Sequence, residues 1–178
     1  MNAINLSRLL LNTDQLTIKE IMIGIDTIGL AVESTAQIAS CPKCHDESTE
    51  IHSTYTRYPA DLAWAEWRII LHLMVKRFFC RNTACQKRTF AEQFPDLVAR
   101  YARRTERVMT RQQQVGINVC ARTTEKLLML DQIGISDTTI NRLIRDLPDP
   151  EAFPVRVLGV DDWAKRKRHS YGTILIDH

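Results

Sequence analysis

Four cysteines in two close pairs carry the clearest chemical signature in this chain of 178 residues. Two residues separate Cys41 from Cys44, and four residues separate Cys80 from Cys85. Four thiolates at such spacings can surround one zinc ion, which binds sulfur at about 2.3 Å and needs no particular d-electron geometry. We therefore predict a closed, structural Zn²⁺ site, with an iron–sulfur cluster or four unrelated core cysteines as the alternatives.

The fifth cysteine and the nearby histidines are predicted to lie outside this site. Cys120 stands alone in a helical context, and we expect it to be a small buried side chain. Four cysteines complete a tetrahedral ligand set, so His45, His52 and His72 are expected at the surface or in packing contacts.

The elements that position the second cysteine pair are predicted to be strands. Apolar residues at alternate positions indicate a strand with one buried face that runs directly into Cys80. These residues are Ile69, Leu71, Leu73 and Val75. Residues 16–34 form two shorter alternating stretches around Asp26 and Thr27, which predict a hairpin that packs on the zinc module.

The segment after Pro95 predicts helices and a possible DNA-binding surface. Residues 100–107 form a basic stretch, predicted as a helix that is either a solvated face or a phosphate-contacting element. Its candidate DNA contacts are Arg103, Arg104 and Arg107. Residues 121–130 and 136–145 then form a helix, a short glycine turn and a second helix that has Ser136 as its N-cap.

A helix-turn-helix is one interpretation of this pair, and a plain helical hairpin is the other. In a DNA-binding helix-turn-helix the second helix enters the major groove and its early exposed residues meet base edges. The predicted contacts on this helix are Thr138, Asn141, Arg142 and Arg145.

The last segment contains an acid at the end of an apolar strand. Asp161 follows the strand-like residues 155–160, and a carboxylate in that place is either an ordinary strand-end acid or a ligand for Mg²⁺. Asp162 should point to the opposite face of the strand. A basic turn and a return strand, 171–177, follow, and four cations there suit nucleic acid. They are Lys165, Arg166, Lys167 and Arg168.

The charge distribution and the hydropathy of the chain indicate which classes of partner it could bind. The net charge is only +3, but residues 41–111 carry 13 basic and 8 acidic groups, so a polyanion would meet this region. No apolar run is long enough to span a bilayer and the start does not look like a signal peptide, so we expect a cytoplasmic protein without a membrane partner.

The combination of these motifs resembles the ISL-three family of bacterial insertion-sequence transposases. The matching segments are residues 41–44, 52–57, 61–62, 76–80, 85, 89–92, 158–164 and 171–177. The resemblance implies an RNase H-like catalytic domain in which three separated acids hold two divalent metals, with Asp161 as the first catalytic acid. The chain ends at His178, before the second and third acids, so we expect no activity from it alone and Mg²⁺ only in a complete catalytic domain.

We therefore predict an α+β chain with five segments. They are a β lead-in (1–40), a zinc ribbon (41–95), a helix-turn-helix domain (96–147), a linker (148–154) and the truncated start of an RNase H-like domain (155–178). The predicted function is recognition of terminal inverted repeats in double-stranded DNA, with a second copy or the full-length transposase as further candidate partners. A standalone repressor of the intact transposase and a protein-binding zinc ribbon are the alternatives.

Overall fold

The computed structural model describes residues 10–11, 13–149, 157–166 and 170–177. They fall into two compact units, one within residues 1–146 and one within residues 147–178. The strands of the first unit are β1 (Leu16–Ile23), β2 (Thr27–Ser34), β3 (Ala39–Ser40), β4 (Glu47–Ser48), β5 (Ile51–Arg57), β6 (Ala60–Trp64), β7 (Trp67–Phe79) and β8 (Thr89–Ala91). Its helices are α1 (Glu106–Asn118), α2 (Ala121–Leu130) and α3 (Asp137–Arg145). This mixture confirms the α+β class.

Strand β7 is the centre of the main sheet. It pairs in parallel with β2 and antiparallel with β5, β6 and β8, and β1 pairs antiparallel with β2. The predicted hairpin of residues 16–34 is present as β1 and β2. This hairpin belongs to the same sheet as β7, the strand that leads to the second cysteine pair. The predicted lead-in and the predicted ribbon therefore form one sheet.

The sheet buries one face of β7. The four predicted core residues of this strand are each at most 1% exposed, and they pack in one cluster with Phe94, Leu97 and Val98 from the segment after β8. Burying an aliphatic side chain of this size stabilises a fold by about 1.5–3 kcal/mol. The alternation predicted from the sequence is therefore confirmed.

The basic segment before α1 is not helical as predicted. Its backbone pairs with β6 instead: the Ala60 N–H donates to the Arg103 carbonyl at 2.9 Å, and the Thr105 N–H donates to the Ala60 carbonyl at 3.0 Å. Tyr101 has a φ of 64°, in the left-handed region. A chain that is bonded to a strand and turns through this conformation cannot form helical hydrogen bonds, so α1 begins at Glu106.

The three helices pack on one another around a second apolar cluster that includes Val108, Leu128 and Ile140. The bounds of α2 and the N-cap of α3 agree with the sequence prediction, since the Ser136 hydroxyl accepts from the Thr139 N–H at 3.4 Å. Gly116 on α1 allows a close approach of α3: a Cβ at this position would lie 2.9 Å from Ile144 Cδ1.

One expectation about this region was wrong, and another held. Cys120 is exposed rather than buried, because it occupies the N-cap position of α2 at the surface. The predicted short turn that contains Gly134 is present between α2 and α3, and the residue with a positive φ in it is Gln132, at 59°.

The second unit is an antiparallel hairpin of β9 (Leu158–Arg166) and β10 (Ser170–Asp177). Most of the predicted linker, residues 150–154, lies outside the described residues. Apolar side chains are exposed on both strands, among them Val160, Trp163 and Leu175. In the described part of the chain, no helix is both long and apolar enough to cross a membrane.

Candidate metal centre and nucleic-acid interface

Two turns bring the four cysteines together. In the first turn, the Cys41 N–H donates to the Asp46 carbonyl at 2.8 Å and the Cys41 carbonyl accepts from the His45 N–H at 2.9 Å. The second turn follows β7, where the Cys80 N–H donates to the Arg88 carbonyl at 2.9 Å. Backbone hydrogen bonds thus fix both turns independently of any side-chain ligand.

The sulfur geometry fits a tetrahedral metal ion. The four Sγ atoms all lie within 4.8 Å of one another, and Cys44 Sγ is 3.6 Å from Cys80 Sγ. Metal–sulfur bonds of about 2.3 Å in tetrahedral geometry place sulfurs about 3.8 Å apart. Cys41, Cys44, Cys80 and Cys85 therefore have the spacing, as well as the donor type, of a structural Zn²⁺ site.

The four thiols cannot all ionise together without a cation among them. Burial raises the pKa of Cys41, but backbone N–H groups of Cys44 and Lys43 outweigh it and hold the value at about 7. The N–H of Asp46 lowers the pKa of Cys44, yet burial and the neighbouring sulfurs raise it to about 12. Four thiolates this close repel one another, so their joint ionisation requires a positive ion among them.

The core of the metal module is very small. Its buried members are Cys41, Phe78 and Phe90, with the two aromatic ring centroids 5.9 Å apart. Two of the nearby histidines have packing contacts: His52 meets Phe79 edge-on at 4.8 Å, and His72 meets Tyr58 at 4.9 Å. A core of this size contributes little to holding the two cysteine turns together, which is the role that a structural metal ion would have.

Helix α3 exposes all four of its predicted DNA contacts. Thr138, Asn141, Arg142 and Arg145 are solvent-exposed, whereas Ile140 on the opposite face is 1% exposed and anchors the helix. The exposed residues are spaced by three or four positions, so they lie along one side of the helix. Hydrogen-bond donors and acceptors are thus grouped on one surface.

Arg104 extends this surface from outside the helix. It is half-buried, its Nη1 donates to Gln112 Oε1 at 2.8 Å, and burial together with the charge of Arg142 lowers its pKa. Gln112 is 1% exposed, and its Nε2 has no hydrogen-bond acceptor. The Arg104 guanidinium is therefore close enough to Arg142 to feel its charge, and the described residues offer no acceptor to the neighbouring Gln112 Nε2.

Arg107 has a different environment from the other predicted contacts. Its guanidinium donates to both carboxylate oxygens of Asp61, with an Nε–Oδ1 distance of 2.6 Å, and to the Leu10 carbonyl at 2.8 Å. The carboxylate of Asp61 is completely buried and also accepts from the Thr105 hydroxyl at 2.7 Å. Arg107 is thus held inside the unit, whereas Arg103 is exposed.

The second unit places Asp161 opposite Ile174 in the hairpin. Asp161 and Asp162 are both exposed, and the Asp162 N–H donates to Asp161 Oδ1 at 2.8 Å. Among the described residues, Asp161 belongs to no group of three or more potential metal ligands. Lys165 and Arg166 end β9, and Lys167 and Arg168 lie outside the described residues.

A set of basic residues that the sequence did not single out lines a groove of the first unit. Arg77, Lys87 and Arg100 contribute to it together with Tyr101. These positions are far apart in the chain, and the pairing of β7 with β8 brings two of the three segments together. The excess of basic residues in the segment 41–111 indicated that a positive surface exists there, but it could not show which of these side chains line a common groove.

Comparisons with known proteins agree with the geometry. Residues 37–85, which include all four cysteines, match the family described as the zinc-finger of transposase IS204/IS1001/IS1096/IS1165. The chain is 24% identical over 151 residues to the transposase for insertion sequence element IS1001 of Bordetella parapertussis. This alignment covers 85% of the chain but 36% of that transposase, so the chain spans about a third of its relative. No solved structure matches the chain significantly. The resemblance to the N-terminal part of ISL-three family transposases is confirmed.

Proposed function

We propose that this chain is the DNA-binding part of an insertion-sequence transposase, and that α3 reads the terminal inverted repeats of its element. The exposed face of α3 is the observation that carries the proposal. It combines an amide, a hydroxyl and two guanidinium groups on a helix whose other face is anchored in the core. The similarity to transposases gives the surface its biological context.

The residue types on α3 suit direct readout in the major groove. An asparagine such as Asn141 can bind adenine through two hydrogen bonds, and an arginine such as Arg142 can bind guanine in the same way. Thr138 lies one turn earlier, where a recognition helix meets base edges. Arg145 follows near the end of the helix, and we assign it to the phosphate backbone.

Arg104 is the strongest candidate for a phosphate contact outside α3. Its positive charge and that of Arg142 repel each other, and a phosphate oxygen bound between the two guanidinium groups would relieve this repulsion. We therefore place Arg104 at the edge of the α3 interface. Arg103 remains a second candidate because it is exposed. Arg107 is left out, since its guanidinium is bound by Asp61 and the Leu10 carbonyl.

Zinc has a structural role in this proposal. Four cysteine ligands leave no open coordination position, so the ion supplies no catalytic water and instead holds the two turns together. The wild-type chain should bind one zinc ion, and Cys44→Ser should lower both this zinc content and the thermal stability of the ribbon. Cys120→Ser is the matched control, because Cys120 is exposed and outside the cluster. Equal zinc content in the two variants would contradict the assignment.

The hairpin is proposed as the start of an RNase H-like domain, with Asp161 as its first acid. Both β9 and β10 expose apolar side chains, which suits strands that are covered on both faces by further structure. Mg²⁺ would belong to a complete catalytic domain, where additional acids could hold it and activate the nucleophile. Lys165 and its basic neighbours are proposed to contact DNA there.

The test is binding of the zinc-loaded chain to terminal-repeat duplex and to scrambled duplex, measured at several salt concentrations. Asn141→Ala and Arg142→Ala should each weaken binding to the repeats by about 5- to 150-fold and reduce the preference over scrambled DNA. Arg104→Gln should weaken binding to both duplexes by a similar factor. It should also reduce the dependence of affinity on salt by the amount expected for about one phosphate contact. Arg68→Ala, an exposed arginine on β7, is the matched control. Equal affinity of the wild-type chain for both duplexes would refute readout by α3.

A further inference from the structure

A groove of about 700 Å³ lies in the first unit on a surface that includes no residue of α1, α2 or α3. Its lining comes from β5, the end of β7, β8, both metal-binding turns and the turn that contains Tyr101. Pro42 and Lys87 are the contributions of the metal-binding turns. The groove is therefore built on the zinc ribbon and shares no lining residue with the surface assigned to duplex DNA.

The groove is cationic. Arg77, Lys87 and Arg100 line it, and Arg77 uses one N–H for the Thr89 hydroxyl at 2.8 Å, which leaves its other donors available. A fourth cation, Arg57, is already occupied, because its Nη2 donates to the Ala99 and Ala102 carbonyls. That arginine fixes the neighbouring turn to the sheet.

The single acid in the lining does not neutralise these cations. Glu92 is buried, and its Oε1 accepts from the Lys76 N–H at 2.8 Å. Burial raises the pKa of this carboxyl, although the Lys76 N–H acts in the opposite direction. The carboxylate is thus directed at the sheet backbone, and the groove keeps an excess of positive charge.

Tyr101 presents an aromatic ring at the groove in a costly backbone conformation. Its φ of 64° is unfavourable for a bulky residue, yet the side chain is 80% exposed and gains no burial in return. The guanidinium of Arg100 lies 4.7 Å from the ring centroid and donates to the Tyr101 hydroxyl at 2.7 Å. Tyr55 on β5 adds a second exposed ring to the lining.

We propose that this groove binds a single strand of DNA, with phosphates at Arg77, Lys87 and Arg100 and a base stacked on Tyr101. Cations along a concave surface with exposed aromatic rings are the combination that non-sequence-specific single-strand binding uses, since every base has a face that can stack. The volume is within the range of ligand pockets, which is enough room for a short stretch of strand. The inference shares DNA as a ligand with the proposed function but uses other residues.

The test measures binding of the zinc-loaded full chain to fluorescein-labelled ten-residue oligothymidylate by anisotropy at several salt concentrations. Tyr101→Gly is the decisive variant, because glycine accepts the left-handed conformation without strain. We expect affinity to fall by about 5- to 150-fold, as for loss of one stacked base, while the thermal midpoint stays unchanged or rises. If Tyr101 had only a structural role, its replacement would lower the thermal midpoint together with the affinity.

The charge variants complete the test. Lys87→Gln should weaken binding and reduce the slope of affinity against salt by about 0.7, the value for one phosphate of a single strand. Arg88→Gln, at an exposed position outside the groove lining, is the matched control and should leave the slope unchanged. Failure of oligothymidylate to bind, or wild-type binding by both Tyr101→Gly and Lys87→Gln, would overturn the proposal.

The α3 variants distinguish this failure from failure of the proposed function. Asn141→Ala and Arg142→Ala should lose preference for terminal-repeat duplex and bind oligothymidylate like the wild-type chain. If these variants lose single-strand binding while the groove variants keep it, the single strand binds at α3 and the groove assignment is wrong. Competition provides a second check, in which unrelated duplex and unlabelled oligothymidylate of equal length each displace the labelled strand. If the duplex displaces it at the lower concentration, the groove assignment is also wrong.

Discussion

Removal of the Asp61 carboxylate should destabilise the first unit strongly, because four donors lose their acceptor together. Two come from the Arg107 guanidinium, one from the Thr105 hydroxyl and one from the Leu62 N–H at 2.9 Å. Loss of one partner from a buried ion pair costs about 3–5 kcal/mol. Arg107 is one-third exposed and water can reach part of it, so we expect about 3 kcal/mol for Asp61→Ala.

A double-mutant cycle separates this ion pair from other effects. Arg107→Ala should cost about 3–5 kcal/mol, because it leaves the completely buried Asp61 carboxylate without its cation. The double variant should cost less than the sum of the single variants by about 1–3 kcal/mol. Urea unfolding in the presence of zinc, followed by the helical circular dichroism signal, measures all three free energies. Among the described residues this signal comes from the first unit, which contains α1, α2 and α3.

The same variants decide between two roles for Arg107. As a structural residue it should leave the affinity of the folded chain for duplex DNA unchanged when it is replaced by alanine. A stability loss below about 1 kcal/mol for Asp61→Ala, or weaker DNA binding by a fully stable Arg107→Ala variant, would refute the structural assignment. Arg107 would then be the phosphate contact that the basic sequence stretch suggested.

Three further predictions concern packing and ionisation in the first unit. Gly116→Ala should lower stability by about 1 kcal/mol in urea unfolding, because crowding against Ile144 Cδ1 exceeds the gain in helix propensity, and Ile144→Val should restore part of the loss. Gly134→Ala has no atom within 4 Å of its Cβ and no positive φ, so the thermal midpoint should rise, in line with a gain of about 0.4–1 kcal/mol. Burial raises the pKa of Glu92, so the folded state binds this proton more tightly than the unfolded chain and the carboxyl disfavours folding as the pH rises. Glu92→Gln should therefore gain stability relative to wild type as the pH rises above the ordinary pKa of a glutamate, about 4.3, and a stability difference that does not change with pH would contradict this sign.

The parts of the structure that depend on local chemistry could be predicted from the sequence. Cysteine spacing predicted a ligand set that the fold brings within metal-binding distance, because each pair is positioned by its own short turn. The bounds of α2 and the N-cap of α3 also follow from local capping and periodicity. The capping bonds and the turn that holds each cysteine pair join residues fewer than about ten positions apart, whereas the meeting of the two pairs depends on strand pairing over a longer range.

Long-range pairings explain what the sequence did not predict. The basic segment before α1 has helix-forming residues, but hydrogen bonds to Ala60, more than forty positions earlier, hold it in another conformation. The same contact region contains the Asp61–Arg107 pair, which converts a predicted surface arginine into an internal one. Nothing in the periodicity of either segment indicates that they meet, so charge alone suggested a DNA contact.

These long-range contacts also bear on how two DNA-binding surfaces could act together. Asp61 lies in β6 of the main sheet and binds Arg107 in the first turn of α1, while Gly116 near the other end of α1 allows α3 to approach closely. The groove is built on the same sheet through β5, β7 and β8. The proposed single-strand and duplex surfaces are therefore connected through buried contacts rather than a flexible linker. A rigid connection of this kind favours DNA that presents a duplex and an unpaired strand at a fixed separation, so a duplex with a single-stranded extension should bind more tightly than either part alone.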